Sequence, residues 1–433
     1  MRRGTLTWFT GHSMNTSGPS RRWLPLALIG LGALAIGRAT LLPDPTSVDQ
    51  VAALPLTCLV CGEVGAVDVT LNLLLFAPLA AGLALLGTGM IRIFVIAALL
   101  SLTIETIQLA WIPGRDASLS DLVTNSIGAA VIGWVVHRRD GMLLPDRRRA
   151  GWLTLISLAG WVLLEALAGW SLQPSLPETV YWGQWAPDLG SLDRFRGTIL
   201  NAAVAGEFLP PHRLTASNRF RQNLLQGAGP VTTTAITGSP PSELAPIVSV
   251  FDGGSREIFL LGQRQDEAFF RLRTRVTDLR FRPPAIGIPH AVPTMPGESL
   301  TISASYTRGR YWLRLEVGGR VSERTLDATP NWAWSFLMPF GNYALGMYAP
   351  WLTALWVAGL LLPIGYWSGR IGTAIGLVGA GITVGLTLAL VPVCCELPPI
   401  HLIEWASAAL GLILGHAGGR LSLRHRTSTT QPE

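Results

Sequence analysis

Eight apolar runs, each about long enough to cross the roughly 30 Å hydrocarbon core of a bilayer, recur at about 23–42, 69–88, 92–112, 118–137, 151–171, 343–368, 371–393 and 399–416. Each predicts a membrane-spanning helix. Between the fifth and sixth the pattern changes. Leu300, Ile302, Ala304 and Tyr306 alternate with polar residues, and after Thr307-Arg308-Gly309-Arg310 the alternation resumes at Tyr311, Leu313, Leu315 and Val317. A period of two broken by a glycine turn predicts a β-hairpin with those residues facing inward. Residues 247–251 and 257–261, separated by Asp252-Gly253-Gly254, predict a second hairpin. Residues 269–281 read as one long further strand, with Arg271, Arg273 and Arg275 on the face opposite Leu272 and Val276. The expected fold is an α-helical polytopic membrane bundle of about eight spans plus an inserted all-β sandwich.

Five segments follow from these boundaries. A cytoplasmic N-terminal segment covers 1–22, a membrane domain 23–171, the sandwich 172–340, C-terminal membrane helices 341–416 and a disordered cytoplasmic tail 417–433. The run at 23–42 follows Arg21-Arg22 but has no small-residue cleavage pattern, so it reads as an uncleaved first helix. Composition agrees with a membrane class. Of 433 residues only 14% are charged, against about a quarter in soluble domains, and mean hydropathy is +0.39.

Charge fixes an expected orientation. All 33 basic residues are arginine, and the net charge is +6. With the N-terminus inside, the inner segments hold Arg92, Arg138, Arg139, Arg147, Arg148, Arg149, Arg370, Arg420, Arg424 and Arg426. The outer loops 43–67 and 394–398 hold none, as the positive-inside rule requires. The sandwich is then expected outside the cytoplasmic membrane. The arginines form no coherent basic face, so no nucleic-acid partner is expected.

The same orientation puts Cys58, Cys61, Cys394 and Cys395 outside, where disulfides persist. A bond joining the first and last outer loops is the leading expectation. A local Cys58–Cys61 bond with a vicinal Cys394–Cys395 bond, or four free thiols, are the alternatives.

Polar residues inside the spans form a second pattern. Asp68 and Asn72 are four apart, Glu105 and Gln108 three apart, and Asp121 and Asn125 four apart, so each pair shares a helix face. Alternating span direction puts all three pairs in the outer half, with Arg115 in the loop above. Acids in a bilayer are costly and mark functional positions by default, and arginine suits a phosphate or carboxylate. The alternative is that these groups only hydrogen-bond the helices together, for about 0.6 kcal/mol per pair. A looser echo follows the insert, in Asn342, Tyr348-Ala349-Pro350, Glu396, Glu404, Gly411 and Gly415, and would mark a degenerate second copy of the membrane domain.

Asp68-Val-Thr-Leu-Asn72-Leu-Leu-Leu-Phe76-Ala-Pro78, Glu105-Thr-Ile-Gln108, Arg115-Asp116 and Asp121-Leu-Val-Thr-Asn125-Ser-Ile-Gly128 together resemble the signature of the VanZ-like membrane protein family over about 23–171. The resemblance implies a cell-envelope setting and a link to tolerance of teicoplanin-type glycopeptide antibiotics, without a settled molecular activity. Phe195-Arg196-Gly197, Pro246-Ile247-Val248, Phe270-Arg271-Leu272-Arg273-Thr274 and Trp332-Ala333-Trp334-Ser335 resemble the concanavalin A-like, laminin G-like jelly roll, whose members often bind glycans or proteins.

Three functions stay open. One is a non-enzymatic envelope protein whose sandwich binds a surface glycan or protein. Another is a membrane enzyme or carrier acting on a lipid-linked precursor at the polar cluster. The third is a sensory or assembly factor. No nucleophile–base pair, nucleotide loop or metal signature stands out, so no cofactor or metal is expected, and a non-enzymatic role is favoured. The expected partners are membrane lipids and an envelope glycan or lipid-linked precursor.

Overall fold

The computed structural model describes residues 23–42, 58, 60, 62, 64–112, 118–189, 192–338 and 348–428. The chain divides into two compact units, 1–44 with 72–138, and 45–71 with 139–433. The first contains α1 (Trp23–Thr40), most of the broken helix α2 (Gly65–Leu75) and α3 (Ala77–Leu85), then α4 (Met90–Trp111) and α5 (Leu119–His137). Pro78 in the first turn of α3 lacks an amide proton, and the ladder breaks at Phe76. Ile36, Phe76, Leu79, Ile93, Ile104 and Ala129 form the core of this unit. Close approach is built from small residues, since a Cβ on Gly128 would overlap the Leu73 carbonyl of α2.

The second unit joins a membrane bundle to the sandwich. Its helices are the short α6 (Arg139–Leu143), then α7 (Arg147–Ser171), followed inside the sandwich by α8 (Ser217–Gln226) and α9 (Arg275–Asp278), and finally α10 (Ala349–Ile371), α11 (Ala374–Cys394) and α12 (Leu402–Ser428). Leu158 and Trp161 of α7 pack with Val357, Leu361 and Ile364 of α10, Val384 and Leu388 of α11, and Leu412 of α12. The fifth predicted span thus belongs with the C-terminal helices.

Seven helices among the described residues are long and apolar enough to cross a membrane, counting α2 and α3 as one. They turn large apolar side chains outward, among them Leu34, Ile91, Leu109, Leu163, Leu355 and Ile375. A continuous outward apolar surface is stable only against lipid, so the chain is an integral membrane protein. The eighth predicted run is helical as α12, but Glu404, His416 and three glycines near its end leave it outside that set. The same helix corrects the expectation of a disordered tail from 417, since it runs on to Ser428. Its last turns are tied down: Arg420 donates to the Gly372 carbonyl, and Ser422 bonds Tyr366 and Arg370.

The sandwich has two antiparallel sheets. Its strands are β1 (Tyr181–Trp185), β2 (Thr198–Val204), β3 (Glu207–Phe208), β4 (Val231–Ile236), β5 (Leu244–Asp252), β6 (Glu257–Arg264), β7 (Glu267–Leu272), β8 (Ala285–Ile288), β9 (Ser299–Thr307), β10 (Arg310–Val317) and β11 (Arg320–Asp327). One sheet runs β1-β5-β6-β7-β8 and the other β11-β10-β9-β4-β2-β3. Both predicted hairpins form, as β5–β6 and β9–β10, with Leu300, Ile302, Ala304, Tyr306, Tyr311, Leu313 and Leu315 buried. Arg308-Gly309 and Gly318-Gly319 turn the last two hairpins with both residues at positive φ, the twist that suits two-residue loops.

The predicted long strand over 269–281 is corrected. β7 ends at Leu272, the chain bridges Pro174 through Thr274, and α9 follows. The expected arginine row is therefore not a row. Arg271 forks onto Glu257, Arg273 pairs with Asp278, and Arg275 bonds Gln173 while its guanidinium lies 4.8 Å from the centre of the Trp170 ring. Each guanidinium is held by the protein itself.

The turn between β5 and β6 hangs on Asp252, 2% exposed. Its carboxylate accepts from Gly254 N, Arg256 N and Arg256 Nε at 2.8–2.9 Å. Burial pushes its pKa up, but these bonds outweigh that and hold it below the usual carboxylate value. A depressed pKa stabilises the fold above the unfolded value and ceases to as pH falls through the folded one. Sandwich stability is expected to drop as pH falls below about 4, and Asp252→Asn should flatten that part of the profile. Melting temperature against pH for both proteins checks this.

Candidate functional site

The polar cluster of the first unit is assembled by helix ends and one-turn spacings. Ser118 caps α5, its hydroxyl accepting from Ser120 N at 3.1 Å. The Ser118 amide itself donates to Glu105 Oε2 of α4 at 2.7 Å. Asp121, in the first turn of α5, accepts from Asn72 Nδ2 of α2 at 2.8 Å. One turn further, Asn125 donates to Ser101 Oγ of α4 at 3.1 Å. Gln108 donates to the Thr40 carbonyl at the end of α1 at 3.0 Å. Glu105, Gln108 and Asn125 are buried.

Six of the seven predicted residues are described. Asn72, Glu105, Gln108, Asp121 and Asn125 all bond across helices of this unit. Asp68 is exposed one turn before Asn72, in the part of α2 that belongs to the second unit, and its electrostatic partner there is Arg282. Arg115 lies outside the described residues, as does Asn342 of the echo. Two acceptors, Gln108 Oε1 and Asn125 Oδ1, are buried without a hydrogen-bond partner. Thr40, Ser101 and Ser118 are partners that the motif reading missed. Of these only Ser118, an N-cap residue before an apolar run, carried a signal.

Asn72, Glu105, Gln108, Asp121 and Asn125 therefore each tie one helix to another, while Asp68 does not. Glu105→Ala removes the acceptor of the half-buried Ser118 amide, leaving that donor unpaired, at a cost of about 1 kcal/mol. The variant is expected to reach the membrane at lower abundance and to melt earlier in detergent, whereas Glu105→Gln, which keeps an acceptor oxygen, should lie between it and the wild type. Quantitative blotting and thermal melting check the order.

The cysteine expectation is corrected. Cys394 and Cys395 are both free thiols, so neither the cross-loop bond nor the vicinal bond is present. Cys394 ends α11 and Cys395 caps it, with the Cys395 sulfur packed toward Gly169 of α7 rather than toward a thiol. Cys61 lies outside the described residues, and with it the local pair with Cys58. Among the described residues no three His, Cys, Asp or Glu side chains gather as a metal would need.

Residues 25–140 match the family model described as VanZ/LLP1. The match covers the first helical unit, including all three polar pairs, and stops before α7. No curated protein and no solved structure matches the chain.

Proposed function

We propose that this chain is a non-enzymatic protein of the bacterial cytoplasmic membrane that holds its sandwich on the extracytoplasmic side to bind an envelope glycan or protein. Tolerance of teicoplanin-type glycopeptides is its physiological setting. The observation that carries this reading is the placement of arginine on the two helices flanking the sandwich. α7 begins with Arg147-Arg148-Arg149 and runs into the sandwich at its far end, while α10 leaves the sandwich and carries Arg370 in its last turn. Arginine collects on the cytoplasmic side of spans, so the sandwich lies opposite. The match to VanZ/LLP1 supports the envelope setting, and the jelly-roll resemblance supports a glycan or protein ligand. The polar cluster supports a structural role, because every described member except Asp68 is bonded to a neighbouring helix.

A carrier or enzyme acting on a lipid-linked precursor is the second reading, favoured by the two unpartnered buried oxygens of Gln108 and Asn125. Protease added outside spheroplasts should cut within the sandwich and leave a reporter fused after Gly141 untouched; protection of the sandwich overturns the topology. Deleting the gene should lower the inhibitory concentration of teicoplanin. Restoration by Glu105→Gln at normal abundance supports the anchoring role, and failure to restore supports the carrier.

A further inference from the structure

Where the sandwich meets its membrane helices, the second unit holds a half-open cavity of about 390 Å³, within the roughly 300–1,000 Å³ range of small-molecule sites. Its walls come from three sources. β8 and β11 contribute Ile286, Arg324, Leu326 and Asp327; the 3₁₀ segment Pro330–Leu337 contributes Trp332; the starts of α10 and α12 contribute Thr353 and Glu404, with His401 just before α12.

Glu404 is the unusual member. It is 2% exposed, and its Oε2 accepts from Thr329 Oγ1 at 3.0 Å and Asn331 Nδ2 at 2.6 Å. Both donors are neutral. A second carboxylate, Glu165 near the C-terminal end of α7, is 1% exposed, has Oε2 without a partner and lies within electrostatic reach of Glu404. Among the described residues neither acid forms an ion pair, although thirteen such pairs occur elsewhere. A buried carboxylate without a cation is costly, and proteins keep such groups paired.

Neither cation that lines the cavity forms an ion pair with Glu404. Arg324 donates to the Gly287 carbonyl, and His401, within electrostatic reach of Glu404, lies 3.8 Å from Asp327, whose carboxylate is already forked by Arg310. The wall opposite in chemistry is aromatic. Trp332 lines the cavity, stands 5.3 Å from Trp334 and keeps its indole nitrogen buried without a partner, while Trp334 is pinned by a 2.9 Å bond to Thr353. A carboxylate and a tryptophan lining one mostly apolar cavity are the chemistry that recognises an alkylammonium ion.

We propose that this cavity binds an organic ammonium group, with Glu404 as its counter-ion and Trp332 as its aromatic wall. The apolar substituents of the ligand lie against Ile286, Leu326 and Trp332. The site stands at the ends of α10 and α12, so the ammonium arrives either as a free amine or as the headgroup of a phospholipid. It is separate from the cluster matched to VanZ/LLP1 and does not depend on what the sandwich binds.

The full chain, purified in detergent, would be titrated calorimetrically with choline and with its neutral isostere 3,3-dimethylbutanol. In a parallel arm, nanodiscs of phosphatidylethanolamine and of phosphatidylglycerol would be compared by native mass spectrometry for retained lipid. Binding of choline without the isostere identifies a free amine, and retention of phosphatidylethanolamine alone identifies a headgroup; either supports the site. Glu404→Gln, which keeps the shape and the two neutral bonds, should weaken binding at least ~30-fold. Trp332→Phe should weaken it about threefold to tenfold and serves if Glu404→Gln does not fold. Glu316→Gln, on the exposed end of β10, should bind as wild type. Equal affinity for the isostere, no selectivity in both arms, or unchanged binding by folded Glu404→Gln overturns the proposal.

Discussion

Replacing Gly415 with valine should unfold the C-terminal bundle more than any single change on its surface. α10 and α12 approach along two glycine rows, Gly365 and Gly369 on one, Gly411, Gly415 and Gly419 on the other, each spaced by four. A Cβ on Gly411 would come within 2.6 Å of the Ala358 carbonyl, and one on Gly415 would overlap the Leu362 carbonyl with Tyr366 N at 2.7 Å. The obstacles are backbone atoms, so no rotamer change relieves them. Lipid offers little hydrophobic drive for helix association, and backbone-to-backbone packing carries it instead. Overpacking costs about 1–3 kcal/mol where side chains can yield; here the cost should reach the top of that range. Melting in detergent should fall by several degrees, with loss of the monodisperse peak in size-exclusion chromatography. Gly381→Ala in α11, with open space around its Cα, should melt as wild type.

The second large effect is expected inside the sandwich. Tyr311 of β10 is fully buried, with its ring against Tyr306 at 4.9 Å and Phe270 at 6.3 Å, so it links the two sheets. Tyr306 in turn donates to the Leu172 carbonyl at the end of α7, which couples this contact to the membrane helices. Tyr311→Ala should cost about 3–5 kcal/mol, the usual loss for a large buried ring. Its hydroxyl, however, is buried without a partner. Tyr311→Phe removes a desolvated polar group and keeps the ring, so it should leave stability unchanged or raise it by up to about 1 kcal/mol. Urea titration followed by tryptophan fluorescence separates the two; a Phe variant as damaged as the Ala variant would mean that the hydroxyl is bonded in solution.

Both predictions rest on contacts that run between segments far apart in sequence, and the same distinction explains what was legible beforehand. The membrane helices were legible because crossing lipid demands about 20 apolar residues in a row, a purely local condition. The hairpins were legible because one buried face imposes a period of two and tight turns impose glycine. The apolar spacing of Leu272, Val276 and Phe281 does not reveal that the chain leaves the sheet at Thr274, because Gln173, far upstream, accepts the Arg275 amide. The arginine row failed for a related reason: charges on one predicted face found partners on other elements.

The candidate cluster was readable as three one-turn pairs, since helix geometry stacks residues three and four apart. Their pairings, Asn72 with Asp121 and Asn125 with Ser101, were not. Glu165 was overlooked although an acid within a span is a functional signal by itself, because the cluster was found through pairs and Glu165 stands alone in sequence. By itself, then, the sequence determined the membrane class, the inserted sandwich and the positions of the costly polar groups, since these depend on local periodicity and composition. The tertiary structure alone decided that α7 joins the C-terminal helices, that Cys394 and Cys395 stay unbonded, and that Glu404 faces a tryptophan-lined cavity. Those outcomes depend on which surfaces meet after the helices form, a non-local choice made by shape complementarity and by the need of each buried polar group for a partner.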